Sequence, residues 1–370
     1  MIMQKGIFPL PIYGSLLISL GLSCLSQTPK NGPASSNNNE SLSFQTTWQA
    51  AADSPIAQYV VDIFEDSRGQ LWFGTMAKGV ACFDGQQLRY FTPQEGLADQ
   101  TVVSTEEDSL GYMWFGTHRG ASRYDGEKFE YFGPKQGLTG AGCNLLVDRS
   151  GQIWAGTNDG LFRFEGSSFV KFELPNPFPQ APSYKWVAGK VWDLMEDQAG
   201  NLWIARDGYG VCKYDGKNFT HFTVEDGLCS NNVSQILEDA QGRFWFASLS
   251  SDFPEFKADG GLARLDGETM AQFSEVPGLH QNDVYTLYAD PDGKVWIGAT
   301  GLGAYRYEDP DFTLFSQSNR PDLTENFGIQ SILADRQKNL WFGFSGGLFR
   351  FDGKQFVHCS SLALGAIPND

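Results

Sequence analysis

Seven tryptophans recur in one register along the chain of 370 residues. They stand 40 to 51 residues apart, and an aspartate lies six residues before every one of them. Glycine lies three residues before six of the seven, with Lys338 as the exception, and glycine or alanine lies two residues after each. The tryptophans are Trp72, Trp114, Trp154, Trp203, Trp245, Trp296 and Trp341. Because one short unit is used seven times, we expect a single repeat domain.

The second copy shows the strands within a unit. Val102–Glu107, Tyr112–Gly116, Ala121–Tyr124 and Lys128–Phe132 are predicted strands, and Asp125-Gly126 is typical of a tight hairpin turn. The same hairpin signal recurs at Asp84-Gly85, Glu165-Gly166, Asp215-Gly216, Asp266-Gly267 and Asp352-Gly353. Four strands in each of seven units predict an all-β fold, a single seven-bladed β-propeller of four-stranded blades. Phe44–Trp48 precedes the first blade and is predicted to pair with the last one.

The repeated tryptophans and aspartates are interpreted as scaffold. A tryptophan at one fixed place in every blade is typical of the core between blades, and the small residue two positions later lets the neighbouring sheet approach. The aspartates are predicted to cap turns. A calcium loop, for which Asp290-Pro291-Asp292-Gly293 is the strongest candidate, needs more oxygen ligands than such a turn supplies. No metal site and no cofactor are predicted.

The first 43 residues are assigned to export and tethering. Residues 1–24 combine a short basic start with an interrupted apolar stretch that ends at Cys24, which predicts a signal peptide of the lipoprotein type. The alternatives are ordinary cleavage, which makes the protein secreted, and an uncleaved anchor. Residues 25–43, rich in Asn, Ser and Pro, are predicted to be a flexible tether. Residues 44–370 form the propeller. We expect an extracytoplasmic protein, in the periplasm or on the cell surface, that meets the membrane only through lipid on Cys24.

Charge and cysteine usage narrow the class of protein further. The formal net charge of −17 repels phosphate backbones, so nucleic-acid binding is not expected. The five cysteines beyond Cys24 show no repeated spacing, and buried small apolar side chains are the preferred interpretation. A Cys82–Cys359 disulfide is the alternative, because a closed ring makes the first and last repeats neighbours.

Several copies carry a recognisable motif. Leu71-Trp-Phe-Gly-Thr75, Met113-Trp-Phe-Gly-Thr117, and Gly227-Leu228 before Asn232-Val233 resemble the two-component regulator propeller repeat, and the resemblance covers about residues 44–359. Propellers of that family form the extracytoplasmic sensors of membrane histidine kinases, often for saccharides. The resemblance therefore implies a binding role, with a membrane sensor protein as a partner. It implies no kinase activity, because kinase motifs are absent from this sequence.

Two long insertions indicate which face of the propeller binds a ligand. Glu173–Lys190 and Ser248–Gly261 both belong to the connections that open on one face, whereas the opposite face is predicted to carry only tight turns. Exposed aromatic residues beside polar groups suit a small polar ligand such as a saccharide; a loop folded back on itself is the alternative. The predicted ligand-binding residues are Arg119, Asn158, Tyr184, Trp186, Arg206, Asp207 and Tyr209.

A second polar set lies four residues before the turn aspartates. It is predicted to ring the central channel, as a hydrated lining or as ligand or cation contacts, because the first strand of a blade is innermost. Its members are Asp62, Ser104, Asn144, Asp193, Gln235, Thr286 and Ser331.

No catalytic constellation stands out, so an enzyme is not predicted. The short glycine-rich repeats also resemble streptogramin lyases, and His118 and His280 are the only candidates for catalysis in that case. The sequence favours a non-catalytic ligand-binding or sensor propeller. The alternatives are a propeller lyase and a protein–protein interaction scaffold.

Overall fold

Each of the seven repeated tryptophans lies on the second strand of its own four-stranded antiparallel sheet. The computed structural model describes residues 56, 59–178, 189–250, 258–320 and 328–360. Within them the strand order in every sheet follows the chain, so each blade is a simple meander. The seven-bladed, four-stranded architecture predicted from the repeat is confirmed.

The strands of the first four blades are β1 (Val60–Glu65), β2 (Leu71–Thr75), β3 (Val80–Phe83), β4 (Leu88–Phe91), β5 (Val102–Glu107), β6 (Met113–Thr117), β7 (Gly120–Tyr124), β8 (Phe129–Phe132), β9 (Asn144–Val147), β10 (Ile153–Thr157), β11 (Gly160–Phe164), β12 (Phe169–Phe172), β13 (Val191–Glu196), β14 (Leu202–Arg206), β15 (Gly210–Tyr214) and β16 (Phe219–Phe222). Those of the last three blades are β17 (Val233–Glu238), β18 (Phe244–Ser248), β19 (Gly261–Asp266), β20 (Thr269–Gln272), β21 (Val284–Ala289), β22 (Val295–Ala299), β23 (Gly303–Glu308), β24 (Asp311–Phe315), β25 (Ile329–Ala334), β26 (Leu340–Phe344), β27 (Gly347–Phe351) and β28 (Phe356–His358). Two single-turn 3-10 helices, Pro134–Gln136 and Val224–Asp226, lie between blades.

The first strand of each blade lies at the centre of the ring. β1 contacts both β5 and β25, and each of the other first strands contacts the first strands of its two neighbours. The fourth strand of the last blade is its own β28, so that blade has four strands without Phe44–Trp48, which lies outside the described residues. The signal segment, Cys24 and the tether lie outside them as well.

The tryptophans fill the space between blades. All seven are at most 7% exposed, and each packs in an apolar cluster with residues of an adjacent blade. Burying this apolar surface stabilises the ring by roughly 25 cal/mol per Å². The interpretation of the tryptophans as core is confirmed.

The turn aspartates hold the tryptophans in place. In blade 5 one carboxylate oxygen of Asp239 accepts the indole N–H of Trp245 at 2.8 Å, while the other accepts the backbone N–H groups of Gln241 and Arg243, both at 3.0 Å. The indole-to-carboxylate bond recurs in all seven blades at 2.8–3.1 Å. One carboxylate thus caps the turn and satisfies a buried N–H group, as burial of polar groups requires. Turn capping by the aspartates is confirmed.

Glutamates at the ends of four first strands join neighbouring blades. Each accepts a backbone N–H from the turn of the preceding blade. The pairs are Glu107 with Ser67, Glu196 with Arg149, Glu238 with Gln198, and Glu65 with Arg336. The last pair lies where the ring closes, and there the Arg336 side chain also donates to the carbonyls of Asp66 and Ser67 at 2.8 and 3.1 Å. The ring therefore closes through the same contacts that join its interior blades.

The five described cysteines carry free thiols, and four of them are buried. Cys82 packs between blades 1 and 2, whereas Cys359 packs in the cluster that joins blades 7 and 1. The interpretation of the cysteines as small buried side chains is confirmed, and Cys82 and Cys359 form no disulfide. Within the described ranges, no helix is long and apolar enough to cross a membrane.

Candidate functional site

The connections between second and third strands place the predicted ligand-binding residues on one face of the ring. We call it the loop face; the opposite face, which carries the turns between first and second strands and the hairpins, is the turn face. Arg119 lies exposed in the β6–β7 loop, Asn158 lies half-buried in the β10–β11 loop, and Arg206 ends β14. Asp207 and Tyr209 follow in the β14–β15 loop and are 5% and 8% exposed. Tyr184 and Trp186 lie outside the described residues.

The first part of the Glu173–Lys190 insertion covers two of these residues. The ring of Phe178 stacks on that of Tyr209, with centroids 6.1 Å apart and an interplanar angle of 24°. The guanidinium carbon of Arg206 lies 4.4 Å from the centroid of the same Tyr209 ring. Nη1 of Arg206 also donates to the carbonyl of Pro175 at 2.9 Å. Arg206 and Tyr209 therefore form one cluster beneath the start of the insertion.

Lys190 and Trp192 extend this cluster towards the centre of the ring. The ammonium nitrogen of Lys190 lies 3.3 Å from the centroid of the Trp192 ring, a close cation–π contact. Burial lowers the pKa of Lys190 to about 8, although the charge of Asp207 opposes that shift. We did not predict either residue from the sequence. A signal was present, because Trp48, Trp186 and Trp192 are the three tryptophans outside the repeated register.

The cluster contains hydrogen-bond donors for which the described residues provide no acceptor. Among the described residues, Nε of Arg206 and Nε1 of Trp192 are buried without a hydrogen-bond partner. Burial also lowers the pKa of Arg206. Leaving such donors unsatisfied costs about 1–3 kcal/mol each, so a bound group rich in acceptors would relieve the cost. Of the predicted residues, the structure brings Arg206, Asp207 and Tyr209 together beside Lys190, and it places Arg119 apart on blade 2.

Asn158 approaches the same cluster from blade 3. A Cβ atom added to Gly142 would lie 3.9 Å from Nζ of Lys190 and 4.0 Å from Oδ1 of Asn158. On the blade 4 side, a Cβ atom added to Gly189 would lie 3.8 Å from both Arg206 and Tyr209. Both glycines have positive φ, +67° and +88°, which side-chain-bearing residues adopt at a cost. Glycine at these positions keeps the backbone close to the polar groups.

The polar residues predicted to ring the channel make contacts between blades. Oγ of Ser104 accepts the N–H of Leu145 at 3.0 Å, and the carboxylate of Asp193 accepts that of Ile236 at 2.8 Å. Oε1 of Gln235 accepts the N–H of Leu287 at 2.6 Å in the same way. The amide of Asn144 donates to the carbonyl of Trp192 at 2.7 Å. In these four cases the side chain forms a hydrogen bond with a backbone N–H or C=O group on the first strand of the next blade.

The remaining three ring positions differ from one another. Thr286 is only 3% exposed, and Ser331 is half-buried. One carboxylate oxygen of Asp62 is buried without a hydrogen-bond partner among the described residues. Burial raises the pKa of Asp62 to about 7 and that of Asp193 likewise to about 7.

Glu106 adds a third carboxyl group to Asp62 and Asp193. It pairs with Trp114 across the β5–β6 ladder, a position that is apolar in the other six blades. Those residues are Phe64, Leu146, Met195, Leu237, Tyr288 and Leu333. Burial, together with the charges of Asp62 and Asp193, raises the pKa of Glu106 to about 8. Within the described ranges no group of His, Cys, Asp and Glu is arranged to hold a metal ion.

The two histidines considered for catalysis lie on different parts of the loop face. His118 is exposed in the β6–β7 loop of blade 2, and His280 is exposed between β20 and β21.

Four of the seven copies are similar to a repeat that is found in known proteins. The model described as two-component regulator propeller matches residues 54–77, 96–119, 227–250 and 278–301. Histidine kinase P4 of Formosa agariphila is 27% identical over 192 residues, which make up 48% of this chain and 13% of that kinase. The chain therefore spans only a small part of that relative's length.

Solved structures share the fold. The extracellular domain of a putative hybrid two-component system from B. thetaiotaomicron aligns with a TM-score of 0.63 and 23% identity, over 81% of this chain and 40% of that one. Virginiamycin B lyase from Staphylococcus aureus aligns with a TM-score of 0.59 and 13% identity, over 79% of this chain and 93% of the lyase. At these identities the likeness concerns the fold alone. Four of the seven copies thus match the two-component regulator propeller repeat, and the seven tryptophans in one register lie in a seven-bladed propeller.

Proposed function

We propose that this propeller is a non-catalytic, extracytoplasmic sensor module that binds a small polar ligand such as a saccharide. The site is the loop face of blades 3 and 4, around Lys190, Trp192, Arg206 and Tyr209. The proposal rests on two buried hydrogen-bond donors, Nε of Arg206 and Nε1 of Trp192, which have no acceptor among the described residues and lie beside aromatic rings. Sugars present hydroxyl acceptors along their edges and apolar faces that stack on aromatic rings.

The rest of the proposal follows from the family and from the residues around this cluster. Asn158 and Asp207 would hydrogen-bond the ligand, Tyr184 and Trp186 would stack on it, and Arg119 would reach it from blade 2. Membrane attachment through Cys24 would keep the propeller close to a membrane sensor protein. The relation to a histidine kinase and to sensor ectodomains supports this partner class.

The test combines a ligand screen with two variants at the cluster. The purified propeller is screened by thermal shift against an oligosaccharide library, and each hit is titrated by calorimetry. Trp192→Phe keeps an aromatic ring and removes the N–H, and Arg206→Ala removes the guanidinium. We expect each to weaken binding at least several-fold. Arg163→Ala on the hairpin side of blade 3 is the matched control. Among the described residues Arg163 forms an ion pair with Glu165 alone, so this variant should leave the affinity unchanged.

Three results would contradict the proposal. A library that produces no shift would reject the saccharide class, and affinities unchanged in both cluster variants would reject the site. Cleavage of a streptogramin B antibiotic, followed by mass spectrometry, would instead support the lyase alternative. That alternative is worth the assay because this chain covers 93% of the aligned lyase. Release of the protein from membranes by Cys24→Ala tests the anchor separately.

A further inference from the structure

Six of the seven blades place a cation opposite the repeated tryptophan. The residue on the third strand that pairs with it is Arg123, Arg163, Lys213, Arg264, Arg306 or Arg350. In blade 1 the residue paired with Trp72 is Cys82. Blade 1 therefore lacks a cationic side chain at a position where every other blade has one.

In four of these six blades the cation lies over the ring of the tryptophan. The guanidinium of Arg264 lies 5.3 Å from the centroid of Trp245, 5.5 Å from that of Phe273 and 5.8 Å from that of Tyr307. Arg123, Lys213 and Arg306 lie 5.3–5.6 Å from their tryptophans. Such contacts contribute about 0.5–2 kcal/mol.

In blade 1 the corresponding space is a cleft of about 310 Å³ that opens on the turn face between blades 1 and 2. Cys82 and Trp72 line it. Phe91 and Tyr124 line it as well, and they occupy the positions that Phe273 and Tyr307 occupy around Arg264. The sequence predicted only tight turns on this face, and the cleft arises because cysteine is much shorter than arginine.

Blade 1 also has a carboxylate at the hairpin position where blades 3 and 6 have one. Arg163 pairs with Glu165 at 2.6 Å, and Arg306 pairs with Glu308 at 2.9 Å. The residue at that hairpin position in blade 1 is Asp84, which makes no ion pair with any described residue. Its Oδ1 accepts the N–H groups of Gln86 and Gln87.

Arg89 fills only part of the space. It lies opposite Cys82 on the fourth strand, and its guanidinium lies over Phe91 at 4.3 Å. Among the described residues no cation lies over Trp72. The cleft also contains three carboxylates, Asp66, Asp84 and Glu107, against two arginines, Arg68 and Arg89, so it retains a net negative charge.

We propose that this cleft binds the guanidinium group of an arginine side chain supplied by a partner polypeptide. The guanidinium would lie over Trp72 and pair with Asp84, as that of Arg306 lies over Trp296 and pairs with Glu308 in blade 6. Arginine is favoured over lysine because its planar group stacks on aromatic rings and forms bidentate pairs with carboxylates. The site is independent of the loop face and of any ligand bound there.

The test uses N-acetyl-arginine amide as the probe and its lysine counterpart as the comparison. Titration of the ¹⁵N-labelled protein is followed at the indole N–H signal of Trp72. We expect saturable shifts with the arginine probe and at least several-fold weaker binding of the lysine probe. The variant Cys82→Arg with Arg89→Thr copies the pairing of Arg306 with Thr313 in blade 6 and fills the cleft. We expect it to weaken binding at least tenfold.

A reciprocal variant provides the matched control. Lys213→Cys with Thr220→Arg copies blade 1 into blade 4, and it should create a second site detected at the indole signal of Trp203. If the filled variant does not fold, Asp84→Asn replaces it, with an expected several-fold loss of affinity. No shift of the Trp72 signal in the wild type, or equal binding before and after the cleft is filled, would overturn the proposal.

Discussion

The two faces of the ring use their polar residues differently. On the turn face the same aspartate-to-indole hydrogen bond occurs seven times, and four joints between blades repeat one glutamate contact. On the loop face the connections range from two residues in the β6–β7 loop to the long Glu173–Lys190 insertion. There, buried donors at Arg206 and Trp192 have no partner among the described residues. The polar residues of the turn face hold the blades together, whereas the residues and lengths of the loop-face connections differ from blade to blade.

This contrast shows where a departure from the repeat carries information. A polar side chain that recurs in every blade, such as the turn aspartate, forms a hydrogen bond with another recurring group. Its role in the scaffold explains why it is present. A polar side chain that is present in one blade only, or absent from one blade only, is not explained by a recurring contact. Lys190 with Trp192, Glu106, and Cys82 are departures of this kind, and each coincides with an unmet donor, a raised pKa or a cleft.

The largest effect is expected from breaking the turn-face network at Asp239. This carboxylate is 1% exposed and accepts from Trp245, from the Arg243 side chain at 2.7 Å and from two backbone N–H groups. Asp239→Ala leaves the buried Arg243 with only the exposed Asp309 as an ionic partner. Loss of one member of a buried pair costs about 3–5 kcal/mol, so we expect a fall of that order in the free energy of unfolding, measured by urea denaturation.

The matched variant on the loop face is Asn158→Ala. Among the described residues its half-buried side chain makes no hydrogen bond to a neighbouring blade, and we expect a loss of at most about 1 kcal/mol. Equal losses for Asp239→Ala and Asn158→Ala would remove the distinction between the two faces.

A smaller effect is expected where Glu106 interrupts an apolar position. Its folded-state pKa of about 8 exceeds that of an unfolded glutamate, so the folded chain keeps a proton that the unfolded chain has lost between about pH 4.5 and pH 8. Stability therefore falls as the pH rises through this window. Glu106→Gln removes the cost of charging, which the full shift would set at about 5 kcal/mol. Because Glu106 is only half-buried and solvent reduces that cost, we expect the variant to gain about 2 kcal/mol over the wild type by pH 9 and little at pH 5.

The groups that face Glu106 determine how this result is interpreted. Asp62 on β1 and Asp193 on β13 raise its pKa, whereas a hydrogen bond from the backbone of Val147 on β9 lowers it. Glu127→Gln, at an exposed hairpin of the same blade, is the control and should change stability by only a small amount. A pH-independent difference for Glu106→Gln would show that the carboxyl group is not enclosed.

The repeat made the scaffold predictable, because the tryptophan and aspartate spacing alone indicates blade number, strand order and buried core. The sequence showed a polar residue four positions before each turn aspartate, but it did not predict the contacts between blades that several of these residues make. Ser104, Asp193 and Gln235 reach the N–H groups of the next blade because the first strand of each blade has no sheet partner on its inner side.

The candidate sites were harder to predict, because each depends on which residues face one another. The absence of an arginine at Cys82 becomes meaningful only when Trp72 is known to lie beside it. Trp192 could have been noted as a tryptophan outside the register, but its contact with Lys190 depends on how the chain leaves the insertion. Arg206 was proposed from the sequence as a ligand-binding residue because it stands where the first three copies have the threonine of a Gly-Thr pair, a departure that can be seen without knowing its neighbours in space.

The smallest expected effect tests a departure on the turn face that has no function assigned. Lys338 occupies the turn position that is glycine in the other six blades, and its φ of +65° lies in the left-handed region, as do the φ angles of those glycines, +74° to +86°. A residue with a Cβ atom adopts this conformation at a cost of about 1 kcal/mol, whereas glycine does not. Lys338→Gly should therefore raise the free energy of unfolding by up to about 1 kcal/mol, measured by urea denaturation. Lys338→Ala removes the same side chain but keeps the Cβ atom, and it should give no gain. If both variants gained equally, the cost would come from the lysine side chain, and the turn would tolerate a departure from the repeat without backbone strain.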